Sequence, residues 1–226
     1  MSSSKRDIAT TISTPVALER LVGSIALHED TPQRKHIRSV AAKLFAEKSY
    51  HEVGVAEICE AAGMARGALY HHIGSKEELL YNIAVRYMTF LVEAGEQITA
   101  DMPDPVARIR LLSRNLMRTI SAHINEMTVC FREINSLTGE RHAFVSRQHS
   151  RYQKIWGRAI GDGVERKIFR KVPVVALKGM LGMYFYSFLW LNPHGKQAPE
   201  EIADVFCDLV FRGIASNPTS FFDSSK

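Results

Sequence analysis

Residues 58–80 read ICEAAGMARGALYHHIGSKEELL: two short apolar-periodic segments, two glycine breaks and a capped helix start. Val55, Ile58, Cys59 and Ala62 share one face of a helix of about residues 55–62, which Gly63 ends by allowing a turn that favours positive φ. A second short helix spans about Ala65 to His72, and Gly74 breaks the chain again. Ser75-Lys76-Glu77-Glu78 is a Ser-x-x-Glu capping box that opens a longer helix. Two short helices around a glycine turn form a helix-turn-helix outline. The second helix of such a pair enters the major groove of DNA and offers its first residues to base edges. Here those are Ala65, Arg66, Gly67 and Ala68. The small residues let the backbone approach, Arg66 can fork onto a guanine edge, and Ala68 can touch a thymine methyl. Tyr70, His71 and Lys76 are placed to hold phosphates, which set register without reading sequence. Arg34 and Gly54, near the starts of the two preceding helices, complete the expected DNA-contact set. Packing against the first helix is a second role open to Tyr70. His71 and His72 are adjacent, so they point to different helix faces, and no metal site is expected there.

The pattern extends in both directions. Residues 1–30 are Ser/Thr-rich and then mildly amphipathic; a disordered start and a short helix over Pro15–Leu27 are expected. Thr31 can cap the first clear helix and Pro32 suits its first position. Ile37, Val40, Ala41, Leu44 and Phe45 then line one face. Downstream, helices are expected from Ser75 to about Ile98, from Pro105 past Ile120, over 125–137, over 140–160 with Gly161-Asp162-Gly163 as the stop, over 173–191, and over 199–214. No strand alternation or internal repeat is visible. The expected fold is all-α, with about nine helices.

The 226 residues, 46% of them hydrophobic, can bury a sizeable core. A net charge of +5 suits a polyanionic partner without identifying one. Cys59, Cys130 and Cys207 are odd in number, far apart and free of any C-x-x-C, which suits a reducing compartment. The first residues lack the apolar stretch of a signal peptide. The run Met180–Leu191 is too short to span a bilayer. A cytoplasmic protein without membrane attachment is expected. No G-x-S-x-G, H-E-x-x-H or phosphate-cradling glycine loop occurs, and the histidines at 28, 36, 123, 142, 149 and 194 are scattered. Neither catalysis, nor a cofactor, nor a metal is expected.

LFAEKSY, ICEAAGM, ALYHHI and GSKEELL follow one another in the order and spacing of the tetracycline-repressor family, and the span from about Thr31 to Leu80 resembles that family's DNA-binding domain. It departs at Ser49, where the family usually has Gly, at Gly54 and Ala65, where Ser or Thr usually caps, and at Ile73, usually Phe. The resemblance implies a helix-turn-helix domain over residues 31–80 and a helical ligand-binding and dimerisation domain over 81–217, flanked by an extension (1–30) and a tail (218–226). It also implies a homodimer built through the last two long helices, a form that suits two recognition helices about one DNA turn apart, ~34–36 Å.

In the second half, KVPVVALKGMLGMYFYSFLWL is apolar nearly all round, and a helix of that kind must be buried on every side. Tyr87, Phe90, Met117, Phe131, Tyr152, Trp156, Met180, Met183 and Tyr184 lie on inward stretches and are candidate lining for an apolar effector, with plain core packing as the alternative. Arg147, Arg151, Lys154 and Arg158 repeat at about one turn; they can hold phosphates or form a solvated face. FREINSL, SRYQKIWGRAIGDGVERKIFR and FLWLNPHGKQAPEEIADVF resemble the sensor domains of family members that regulate fatty-acid or steroid-ring catabolism and bind acyl-CoA thioesters. The reading is therefore a repressor released from operator DNA by a small apolar effector, either such a thioester or a hydrophobic non-CoA compound, as in regulators of efflux or stress genes.

Overall fold

In the computed structural model, residues 31–217 are described; the expected extension helix and the tail lie outside them. Nine α-helices run through the described residues: α1 Pro32–Lys48, α2 Val55–Ala61, α3 Arg66–His72, α4 Lys76–Asp101, α5 Pro105–Ala122, α6 Ile124–Arg132, α7 Gly139–Glu165, α8 Val174–Phe185 and α9 Pro199–Ile214. Short 3₁₀ turns follow α6 (Ile134–Ser136) and α8 (Tyr186–Leu189). No strand occurs among these residues; Phe169 and Ala215 form an isolated antiparallel bridge.

Two helix starts carry the expected side-chain caps, Thr31 and Ser75, and Asp104 supplies a third that the sequence shows only as a loop residue. Thr31 Oγ1 accepts from Arg34 N at 3.3 Å, Ser75 Oγ from Glu78 N at 3.0 Å, and Asp104 Oδ2 from Ala107 N at 2.8 Å, so each occupies a donor that the helix cannot. Gly63 makes its turn at φ +64°. Ile37, Ala41, Phe45, Ile58, Leu69 and Leu80 close a core under α1–α3 and the start of α4, all fully buried. α4 then runs on without a break into a second core, where Leu112, Leu116, Ile155, Trp156, Tyr184 and Phe211 of α5 and α7–α9 are buried.

Three expectations are corrected. The helix placed over 125–137 ends at Arg132. Beyond it, Glu133 binds Arg132 Nε at 3.0 Å and its carbonyl accepts from Ser136 N at 2.9 Å, so local bonds replace the helical ladder. The expected stop at 161–163 is overridden, and α7 continues to Glu165. Two helical glycines cost ~1 kcal/mol each, but Asp162 binds the buried Arg108 of α5 and Gly163 accommodates the Phe169 ring against its bare Cα. The chain turns two residues later, at Lys167 with φ +60°. The helix placed over 173–191 ends at Phe185, and it is not buried on every side. Val175 is 73% exposed and Leu189 70%, because nothing else among the described residues reaches that face.

Ser49 follows α1 at φ 72°, ψ 157°, a region that glycine alone enters without strain. Ser49→Gly is expected to stabilise the fold by ~1 kcal/mol, read as a rise in Tm of about 2–4 °C.

Candidate nucleic-acid interface and sensor core

α3 buries Leu69 and turns the rest of its surface outward. Arg66, Gly67, Ala68 and His71 are exposed, and a Cβ on Gly67 would meet nothing within 4 Å. The Arg66 guanidinium lies 5.9 Å from the ring centroid of Tyr70, which is 42% exposed. Ala65 is the N-cap, at φ −69°, ψ 150°, and supplies no side-chain bond; Gly54 likewise caps α2 with backbone alone. Ala65 and Gly54 are exposed, and Arg34 is half-exposed on the first turn of α1. Eight of the nine expected contact residues are thus surface residues on the starts of α1–α3 or the length of α3.

Lys76 is the ninth, and the structure gives it another task. Its Nζ donates to Tyr50 O and Val53 O, both at 2.8 Å, and sits 4.3 Å from the Tyr50 ring centroid. Burial holds this ammonium below the usual lysine range. Two of its three N–H groups tie down the α1–α2 loop, so it can offer a phosphate at most one.

Polar bonds join this unit to the rest. Arg132 of α6 donates to the carbonyls of Phe45 and Ala46 at the end of α1. Ser136 Oγ meets His51 Nε2 at 3.0 Å. Glu77 accepts from Thr138 N at 2.9 Å and Oγ1 at 2.8 Å, and pairs with Arg141 at 3.2 Å. Those bonds hold the Glu77 carboxyl below its ordinary range.

In the second core, Phe185 gathers several expected lining residues. Phe131 stacks on it at 4.3 Å and Tyr152 lies 6.5 Å away. Trp156 sits 5.2 Å from Tyr184, whose hydroxyl accepts from Ser113 Oγ at 2.9 Å. Phe90 and Met117 are buried; Met180 and Met183 are partly buried against the same core. Tyr87 is not brought to this group. It faces α6, with its hydroxyl 3.3 Å from His123 Nδ1 and the charge of Arg38 of α1 nearby. Arg147 and Arg151 also lie outside the core. Arg147 is exposed over the Phe144 ring, and Arg151 makes two 2.8 Å bonds to Glu96. Arg151 does border an open groove of about 620 Å³ between α4, α7 and α8, with Lys154, Arg158, Val174 and Leu177 among its other walls.

Sequence reading missed the polar members of the core. Thr89, Asn115, Gln148, His149 and Ser187 carry buried side-chain atoms without a hydrogen-bond partner, as do Tyr152 and Trp156. Their signal was available: 148, 149, 152 and 156 fall on one face of α7 together with the buried Val145. In the sequence, His149 is one of several scattered histidines and nothing local sets it apart. Burial pushes its pKa down to about 4, against a hydrogen bond to the Cys130 backbone that acts in the opposite sense.

Residues 37–83 match the family described as bacterial regulatory proteins of the tetR family, and residues 102–214 match the tetracyclin repressor-like C-terminal domain. The HTH-type transcriptional repressor KstR2 of Rhodococcus jostii is 26% identical over 187 residues, 81% of this chain and 92% of that protein. The crystal structure of the TetR family transcriptional regulator PfmR from Thermus thermophilus is 33% identical, with a TM-score of 0.72 over 78% of this chain and 97% of that one. AibR, crystallised in complex with isovaleryl coenzyme A and operator DNA, is 29% identical, with a TM-score of 0.71 over 79% of this chain and 98% of that one. No helix among the described residues is long and apolar enough to cross a membrane.

The neutral His149 makes stability pH-dependent. The unfolded chain takes up a proton near pH 6.5, whereas the folded chain resists it until about pH 4. This contribution is therefore complete above pH 6.5 and is lost as pH falls through that window, to a total of about 3 kcal/mol. His149→Leu should show a smaller loss of urea stability between pH 7.5 and pH 5 than the parent.

Proposed function

The chain belongs to the tetR family of bacterial regulatory proteins, and on that premise we propose that it is a dimeric repressor released from operator DNA by an apolar effector bound in its second core. One observation carries this reading. α4 is a single 26-residue helix whose first turn buries Leu79 and Leu80 under the helix-turn-helix unit, while Gly95, further along, packs on Ile155 of α7. A displacement at one end of an unbroken helix is felt at the other. Arg132 supplies a second link, because its neighbour Phe131 belongs to the core while its own guanidinium holds the end of α1. An effector that spreads the core shifts α3 relative to α1 and changes the spacing of the two recognition helices. A coupling of ~1–3 kcal/mol changes operator affinity about 5–150-fold, and operator must weaken effector binding by the same factor.

The second copy is expected on the face of α8 and α9 where Val174, Val175, Tyr186, Leu189, Trp190, Val205 and Leu209 stand exposed. Large contiguous apolar surface of this kind marks an interface. Isologous pairing there would bury on each copy what neither buries alone.

For the effector we favour an acyl-CoA thioester. The isovaleryl coenzyme A bound to AibR supports this. So does the groove beside α7, where Lys154 and Arg158 have no acidic partner among the described residues and can meet phosphates.

Three outcomes are expected. With a labelled duplex from the region upstream of its own gene, Arg66→Ala weakens binding about 5–150-fold and relaxes preference at one base pair, whereas Arg34→Ala weakens all sequences alike and lowers the salt slope by about 1. Isovaleryl-CoA or a longer acyl-CoA dissociates that complex and binds less tightly when operator is present; equal affinity with and without DNA would refute the coupling. Leu209→Glu gives a monomer in sedimentation velocity that has lost tight operator binding.

A further inference from the structure

The unpartnered polar atoms of the second core form a row. α4 and α7 run side by side in the same direction: Glu77 pairs with Arg141, Tyr81 lies against Phe144, and Glu96 pairs with Arg151. Between these pairs in the chain lie Thr89 of α4 and Gln148 of α7. Thr89 Oγ1 and Gln148 Oε1 are both buried and unbonded. The row continues along α7 through His149 Nε2, Tyr152 Oη and Trp156 Nε1, at i+1, i+4 and i+8 from Gln148. That is one helix face about 12 Å long. Phe185 lies 6.5 Å from both the His149 and Tyr152 rings, and Ser187, fully buried two residues later, adds another unbonded hydroxyl. The Trp156 indole faces the Tyr152 hydroxyl and opposes the upward push of burial on its pKa, but the two make no hydrogen bond of ordinary geometry. Tyr152 and Trp156 are almost completely buried.

The row is neutral throughout. Burial holds the Tyr152 phenol protonated and the His149 imidazole uncharged. Among the described residues the buried charges are committed elsewhere: Arg108 binds Asp162 and the Met102 carbonyl, and Glu133 binds Arg132 and Ser136. A carboxylate entering here would surrender its hydration and find no cation. A plain hydrocarbon would leave every polar atom of the row unmet. Both exclusions leave one class of molecule.

We propose that the row from Thr89 to Trp156, with Ser187, is the specificity element of the sensor, and that it selects an apolar ligand bearing neutral oxygen functions, such as hydroxyl, ketone, ester or thioester carbonyl groups, along one edge. This rests on the reading of the second core as the effector site. It gives that site a rule: the same carbon skeleton is accepted as ketone or thioester and refused as free acid.

The test uses the full chain carrying Trp190→Phe, so that Trp156 reports by fluorescence, and three probes of one chain length: 2-decanone, decanoate and decanoyl-CoA at pH 7.5. The expected result is that the ketone and the thioester bind and decanoate binds at least about tenfold more weakly. Tyr152→Phe and Thr89→Val should each weaken 2-decanone about 3–10-fold, as the loss of one hydrogen bond to the ketone oxygen does. The ligand-free Tm of Tyr152→Phe should not fall, because the hydroxyl removed has no partner. Decanoate binding as tightly as the ketone, binding by none of the probes, or unchanged 2-decanone affinity in both variants overturns the inference. A fall in ligand-free Tm for Tyr152→Phe also overturns it, since the hydroxyl would then be held by water or protein alone. Operator release reads the other claim separately. If decanoyl-CoA fails to release DNA while 2-decanone shows the expected pattern, the thioester reading falls and the row stands.

Discussion

Helix α4 is shared between two hydrophobic cores, and neither closes without it. Leu79, Leu80 and Ile83 complete the unit that presents α3. Leu91, Val92 and Gly95 complete the one built from α5–α9. A side chain at Gly95 would press on both Ile155 and Leu112, so three helices converge at that level. Packed interiors are stiff and tolerate little change of volume. A ligand that enters the second core therefore has to move helices as bodies, and the helix it cannot move alone is the one that carries the DNA reader. A domain boundary placed at residues 80/81 falls inside this helix, so the two units share one continuous element.

Around α4 the polar chemistry is divided by location. The bonds between the two units are charged and lie near the surface: Arg132 on the end of α1, and Glu77 between Thr138 and Arg141. Such contacts are directional and individually weak. Inside the second core, the polar groups from Thr89 and Gln148 to Trp156 are neutral and include unpaired atoms. Each buried donor or acceptor without a partner costs ~1–3 kcal/mol, so this interior is far from the most stable one its volume allows. Stability given up where a ligand enters is a usual feature of sites that bind. The FREINSL segment sits where the two chemistries meet: Phe131 faces the core, Arg132 faces the reader, and the buried Glu133 holds Arg132 and Ser136 in place.

The reader was legible in the sequence because its grammar is local. Caps and glycine turns act over three or four residues, and Thr31, Gly63 and Ser75 do in the structure what their spacing implied. The task of Lys76 was hidden for the same reason: its partners, Tyr50 and Val53, are more than twenty residues away. Tyr87 shares its helix with the lining residues but points to α6 and α1, a choice set by helix rotation and not by composition. The cationic row on α7 was visible as a period, but only packing shows that Arg151 is committed to Glu96 while Lys154 and Arg158 border a groove.

By itself, the sequence determined that the chain is helical, where nearly every helix begins, and that two short helices meet at a glycine turn, because those depend on hydrogen bonds and apolar periodicity within a few residues. Tertiary structure alone decided how long α7 is, since Phe169 and Arg108 outweigh its glycines. It decided that α8 and α9 keep an apolar face that no other described residue covers, since burial depends on what is brought there from elsewhere. It also decided which polar residues of the second core are left unpaired, because a missing hydrogen bond is a property of neighbours distant in sequence.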